Sequence, residues 1–222
     1  MKVKNIGITQ RVVFREDIGE RRDVLDQRWY DFADEISVQL IPIPNNLSSV
    51  VEYVTSLDME GFIFSGGNNI GISGSELVTD KTIQKDDVAL ERDHTEIHLL
   101  KWAQKNEKPV VGVCRGFQFI NAFYGGSQTK VDPQEHVANV HPVDVNEEWQ
   151  SIFGRSMNVN SYHNWGVLEH ELADDLVSTV TCGGYVEGFK HKMRSLYGIM
   201  WHPERYSDFR TQDIKFFKQI FR

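Results

Sequence analysis

The chain has 222 residues and a formal net charge of −8, from 24 Lys+Arg against 32 Asp+Glu. Its 40% hydrophobic and 25% charged composition is ordinary for a globular protein, which excludes disorder, collagen and coiled coil, and the acidic balance argues against a dedicated nucleic-acid binder. Two cysteines make no disulfide framework, and no apolar run approaches the roughly 18 residues of a membrane span.

The opening MKVKNIGITQRVVF has no uninterrupted apolar stretch of signal-peptide length. The expectation is a soluble cytoplasmic protein that binds neither membrane nor nucleic acid. No repeat or linker-like shift divides the chain, so one domain over 1–222 is expected.

Residues 3–9 (VKNIGIT) read as a first strand. Leu25, Trp29, Phe32 and Ile36 then share one helical face. Residues 37–43 read as a second strand, and Leu47, Val50, Val51, Val54 and Leu57 mark a second helix. A short apolar strand at 62–64 runs into Ser65-Gly66-Gly67, and a polar loop fills about 66–90. Asp93 with Glu96 three residues on suggests a capping box opening the next helix, which buries Ile97, Leu100 and Ala103. The strand 109–113 (PVVGV) is apolar on both faces, as a central parallel strand should be. It turns at Cys114 into a helix holding Phe117, Ile120 and Phe123. Beyond residue 126 short β-like runs appear near 137–145, 157–161, 176–182, 184–189 and 195–201. A last helix at about 208–221 buries Ile214, Phe217 and Phe221. Strand–helix alternation followed by strands predicts an α/β sheet covered on both faces, with a β-rich C-terminal half.

Gly112-Val113-Cys114-Arg115-Gly116 lies between a buried strand and a helix. It is a cysteine version of the nucleophile elbow, in which small neighbours relieve crowding around a strained turn. The following helix points its N-terminus at the sulfur and favours thiolate, and the Arg115 amide is placed to meet an oxyanion. A cysteine nucleophile needs a base and an orienting group. The strand 195–201 ends in His202-Pro203-Glu204, so His202 can face a neighbouring elbow while Glu204 holds one ring nitrogen. Ser65-Gly66-Gly67 is expected at the same sheet edge, where two glycines let backbone amides approach a ligand as a second oxyanion donor. Cys182 reads as a strand end before a hairpin. His94 and His98 have the spacing of zinc ligands but no third partner in pattern. Neither a P-loop nor a dinucleotide-binding fingerprint is present.

Taken together, these residues resemble the class I glutamine amidotransferase superfamily and within it the γ-glutamyl hydrolase branch, which includes γ-glutamyl-GABA hydrolases. The similarity runs through Ile8-Thr9-Gln10-Arg11, Ser65-Gly66-Gly67, Arg92-Asp93, the elbow with Phe117-Gln118, Asn160-Ser161-Tyr162-His163 and Trp201-His202-Pro203-Glu204. The resemblance implies a flavodoxin-like α/β fold, a Cys114-His202-Glu204 triad, an oxyanion hole made by the amides of Gly67 and Arg115, and no metal or redox cofactor. Gln118 and the backbone near Ser161-Tyr162 would hold the glutamyl head, Gly66 would line the site, and His163 would sit beside the nucleophile. Ile8-Thr9-Gln10-Arg11, Tyr162-His163-Asn164, Glu187-Gly188-Phe189-Lys190-His191-Lys192 and Gly198-Ile199-Met200-Trp201-His202 look like a branch that hydrolyses γ-glutamyl-CDP-amidate. That branch releases cytidine diphosphoramidate for phosphoramidate decoration of surface polysaccharide. Asn68 departs from the family, where aspartate commonly follows the glycine pair.

A phosphorylated leaving group would account for Arg11 at the carboxyl edge of strand one, and for Lys190, His191 and Lys192. Arg15, Arg21, Arg22 and Arg28 interleave with acidic residues, as on a charged helix face. Two other functions remain open at this stage: a glutaminase subunit supplying ammonia to a separate synthetase, and a non-catalytic binding protein on the same fold.

Overall fold

The computed structural model describes residues 3–77, 87–131 and 137–222. Part of the expected polar loop at 66–90 therefore lies outside the described residues.

A nine-stranded sheet organises the molecule. Its parallel half is ordered β4 (Val38–Ile43), β1 (Lys4–Thr9), β5 (Gly61–Phe64), β8 (Val110–Val113) and β15 (Leu196–Ile199). Every neighbouring pair in that half runs parallel. Beyond β15 the sheet continues antiparallel through β14 (Tyr185–His191), β13 (Leu176–Cys182), β10 (Val137–Val145) and β11 (Ser156–Tyr162). The α/β class and the β-rich second half agree with the sequence reading.

Alternation along the strands divides the core. Ile6, Ile8, Ile63, Val111 and Val113 face one side with Trp29, Phe32, Ala33 and Ile36 of α1 (Arg28–Ile36) and Phe216 and Phe217 of α6 (Thr211–Ile220). Trp149 and Phe153 of α5 (Glu147–Phe153) join that layer. Phe62, Phe64 and Val110 face the other side, with Val50 and Val54 of α2 (Val50–Ser56), Leu99 and Leu100 of α3 (Leu90–Lys105), and Phe117 and Ile120 of α4 (Arg115–Phe123). Side chains of period two in the strands and 3.6 in the helices thus bury both faces.

Two expectations need correction. Helix α3 opens at Leu90 with Ala89 as its N-cap, and Asp93 and Glu96 are fully buried rather than forming a capping box. Apart from Arg28, which opens α1, the arginine-rich stretch is a β-hairpin, not a helix face. Strands β2 (Arg11–Arg15) and β3 (Glu20–Val24) pair antiparallel, with Gly19 taking φ +69° in the turn. Alternating charge along an exposed two-stranded ribbon mimics the spacing of a solvated helix. Small pairs β6 (Ile72–Ser73) with β7 (Glu76–Leu77), and β9 (Thr129–Lys130) with β12 (Trp165–Gly166), complete the described strands. None of the described helices is long and apolar enough to cross a membrane.

Candidate active site

The chain order turns back at β1: β4 lies on one side of it, and β5 and then β8 on the other. Doubly wound sheets bind ligands at the carboxyl ends of strands beside such a reversal. Those ends carry Arg11 after β1, Ser65-Gly66-Gly67 after β5, Cys114 after β8 and His202 after β15.

Cys114 holds φ 52° and ψ −103°, a backbone conformation that L residues avoid. It caps the N-terminus of α4, and its amide donates to the Ile199 carbonyl at 2.8 Å. The flanking glycines are a steric requirement. A Cβ on Gly112 would lie 2.5 Å from the Gly116 carbonyl oxygen, and one on Gly116 would overlap the Phe64 carbonyl oxygen. Helix α4 therefore starts in contact with β5 and β8, which is what turns the sulfur toward the sheet edge.

His202 is fully buried, with Nδ1 2.8 Å from Glu204 Oε1. Its Nε2 is buried and makes no hydrogen bond to a described nitrogen or oxygen. Burial works against the charged ring, but the carboxylate of Glu204 and then the Cys114 sulfur outweigh it and raise the pKa to about 9. The pair can therefore act as a sulfur nucleophile beside an imidazolium. The Asn160 amide holds His202 by its backbone, accepting from the His202 N–H at 2.8 Å and donating to its carbonyl at 2.9 Å. Gly66 packs against the ring, where a Cβ would come 2.7 Å from His202 Cε1.

A cavity of about 330 Å³ joins these groups. Arg11, Gly67, Cys114, Arg115, Gln118, Tyr162, His163 and His202 line it, as do Trp165 and Arg205, which sequence reasoning missed. Ser161 is buried on β11 and does not line it. Gln118 Nε2 donates to the Trp165 carbonyl at 3.0 Å, tying α4 to the 162–165 turn. His163 Nε2 lies 3.8 Å from Glu187 Oε1, and burial raises the Glu187 pKa to about 8. The Arg205 guanidinium stacks over Tyr162, 4.5 Å from the ring centroid, and the Lys130 ammonium lies over Trp165 at 5.4 Å. The signal for Arg205 was its place directly after Glu204.

Lys190, His191 and Lys192 do not reach this cavity. Lys190 pairs in register with Tyr197 near the start of β15, whereas His202 follows the end of β15. The basic run therefore lies at the opposite edge of the sheet, where Lys190 pairs with Glu148 and His191 packs on Tyr124 at 5.0 Å. The other arginines are also engaged elsewhere: Arg15 with Asp17, Arg22 with Glu20, Arg21 with Glu91, and Arg28 with Asp31 and the Tyr206 carbonyl. Arg11 is the one member of that stretch lining the cavity, half exposed and 3.6 Å from Asp87.

Asn68 takes φ 59°, a left-handed conformation that asparagine tolerates. Its amide pairs with the Val12 backbone in both directions at 2.9 Å and donates to Asp87 at 3.0 Å. Aspartate has no N–H to give the Val12 carbonyl. Asparagine at this position thus fastens the hairpin carrying Arg11 to the glycine loop.

The family model described as Peptidase C26 matches residues 6–204. The chain is 28% identical over 202 residues to a γ-glutamyl-CDP-amidate hydrolase of Campylobacter jejuni, covering 90% of each chain. It is 25% identical over 171 residues to a glutamine-hydrolysing GMP synthase component of Methanococcus maripaludis, covering 77% of this chain and 76% of that one. Among solved structures, a glutamine amidotransferase of Thermotoga maritima superposes with a TM-score of 0.61 at 17% identity, over 99% of this chain and 84% of its own.

Proposed function

Since the chain belongs to the peptidase C26 family and has the class I glutamine amidotransferase-like fold, we propose that it hydrolyses a γ-glutamyl amide whose leaving group is phosphorylated and carries an aromatic base, of the γ-glutamyl-CDP-amidate type. The observation that carries this reading is the outer part of the cavity. Arg11 and Arg205 line it beside Tyr162 and Trp165, and Lys130 covers the Trp165 ring. Cations suit phosphate, and aromatic faces suit a base. Ammonia, the leaving group from glutamine, would use neither.

In this mechanism the Cys114 sulfur attacks the γ-carbonyl, and a carbon–sulfur bond forms. Charge on the carbonyl oxygen is met by the Gly67 and Arg115 amides. His202 gives its proton to the departing nitrogen as the carbon–nitrogen bond breaks, leaving a γ-glutamyl thioester. Water then gives a proton to His202 as its oxygen attacks the thioester. The carbon–sulfur bond breaks, glutamate leaves, and the sulfur–imidazolium pair is restored. Glu204 keeps Nδ1 occupied, so Nε2 is the nitrogen that exchanges protons. Gln118, the Tyr162 backbone and His163 supply polar groups for the glutamyl head.

Purified protein offered glutamine, simple γ-glutamyl amines and γ-glutamyl-CDP-amidate tests the reading. Preference for the nucleotide amidate is expected. Arg11→Ala should raise KM for that substrate by about 10- to 100-fold, the scale of one lost charged hydrogen-bond pair, and leave glutamine hydrolysis nearly unchanged. The similarity to glutamine-hydrolysing GMP synthase components supplies the other reading, a glutaminase feeding a synthetase. Glutamine turnover that appears only with such a partner would favour it, and no turnover of any γ-glutamyl amide would favour a binding protein.

A further inference from the structure

Four charged side chains buried beneath the site take no part in the chemistry above. Arg92, Asp93 and Glu96 come from α3 and Arg115 from the first turn of α4, and all four are shielded from solvent. Arg92 Nε donates to Glu96 Oε1 at 3.0 Å. The Arg115 guanidinium pairs with the other oxygen of Glu96 and with Asp93. Asp93 Oδ2 also accepts from the Gly71 amide at 2.9 Å.

The remaining nitrogens of Arg92 face the glycine loop. They donate to three consecutive backbone carbonyls, those of Ser65 at 2.6 Å, Gly66 at 3.0 Å and Gly67 at 2.6 Å. A carbonyl and the next residue's N–H point opposite ways across a planar peptide. Drawing the Ser65 and Gly66 carbonyls toward α3 therefore turns the amides of Gly66 and Gly67 away from α3, toward the cavity that Gly67 and Cys114 line.

Burying four charges costs desolvation that apolar residues of similar size would avoid, so such a cluster is weak evidence for a gain in stability. What it supplies is position. We propose that Arg92, Glu96, Asp93 and Arg115 form a brace that sets the spacing and orientation of the two oxyanion donors. Arg92 holds the Gly67 side, and Asp93 and Glu96 hold the Arg115 side. This rests on the reading above that the Gly67 and Arg115 amides meet the oxyanion. The four side chains are positioning groups, because they act through the backbone of the loop and the elbow. Arginine is required at position 92, since a lysine ammonium lacks the fork that bridges a carboxylate and a row of carbonyls.

The test is Arg92→Lys, which keeps the cluster's charge. Loss of a positioned oxyanion donor lowers kcat by about 100- to 1,000-fold. The variant should show that loss with KM within about threefold of wild type, the pattern of an interaction made only in the transition state. Alkylation of Cys114 by iodoacetamide, which needs the sulfur and no oxyanion hole, should keep its wild-type rate. Crystals of variant and wild type should differ in the orientation of the Gly66–Gly67 peptide. Unchanged kcat, an unmoved peptide, or alkylation slowed as much as turnover would overturn the brace. Should Arg92→Lys not fold, Asp93→Asn loosens the Arg115 end while leaving every Arg92 bond in place; kcat, KM and alkylation are read as before, and the peptide expected to move is then Cys114–Arg115, with that peptide unmoved or kcat unchanged counting against the brace. A wild type inactive on every γ-glutamyl amide would overturn the proposed function, and the peptide orientation would still decide the brace.

Discussion

At Cys114 the sequence and the backbone make the same demand. The residue carries the strained φ of 52° because α4 begins in contact with β5, and glycine at 112 and 116 is what lets it begin there. The cysteine and both glycines lie within five consecutive residues, which is why the elbow was legible in the sequence, although the β5 carbonyl that requires Gly116 was not. The contacts of Arg92 with the glycine loop were not legible. They span 25 to 27 positions, and polar residues on α3 look like a solvated face. Cys114→Ala should abolish turnover while the protein stays folded, and Cys182→Ser should keep most activity. Mass spectrometry after a γ-glutamyl electrophile should place the adduct on Cys114. Labelling at Cys182 would end the mechanism. His202 and Glu204 form one hydrogen-bonded unit, so replacing Glu204 should cost less than replacing His202, and the double variant should lose no more than about the His202 variant does. Steady-state kinetics of the three variants decide this, with additive losses counting against a shared triad.

Among the elements, the parallel strands were readable from their uninterrupted apolar runs and the amphipathic helices from their periodic faces. The β2–β3 hairpin and α5 were not. Charged residues fill both ends of β2 and most of β3, which hides their pairing, and α5 has only Trp149, Ile152 and Phe153 to mark an apolar face, against the five apolar positions that marked α2. The hairpin's attachment gives a prediction. Asn68→Asp removes both N–H donors of that side chain and sets a carboxylate against the Val12 carbonyl. An unmade buried hydrogen bond costs about 1–3 kcal/mol. KM for the phosphorylated substrate should therefore rise by about 5- to 50-fold as Arg11 loses its fixed position, while glutamine hydrolysis changes little. Kinetics on both substrates show whether the two effects separate. Gly116→Ala probes the contact of α4 with β5. The methyl would meet a backbone oxygen, which cannot swing aside. Overpacking typically costs about 1–3 kcal/mol, so Tm should drop by about 2–12 °C by calorimetry.

For the whole molecule, two buried groups push stability the same way with pH. The folded pKa of His202 is about 9 against an ordinary 6.5, so its contribution is complete below pH 6.5 and lost as pH rises through 9. Burial raises Glu187 to about 8 from 4.5, which also favours the protonated fold; its contribution is complete below pH 4.5 and lost as pH rises through 8. Tm should therefore fall most steeply between pH 6.5 and 8, where the two windows overlap, and both His202→Gln and Glu187→Gln should flatten that fall. A profile unaltered by either change would mean that other groups set it. The layout of the molecule separates two tasks. The proposed catalytic residues Cys114 and His202 follow strands of the central sheet, whereas Arg11 stands on a ribbon outside it, fastened by Asn68 to Val12, by Asn45 to Asp23 and by Arg21 to Glu91. On the proposed role of Arg11, residues 11–24 form an exchangeable cassette. Transplanted together with the residue at 68 between relatives, they would carry the phosphate contact, while Tyr162, Trp165 and Arg205 and the bond-breaking apparatus beneath stay in place.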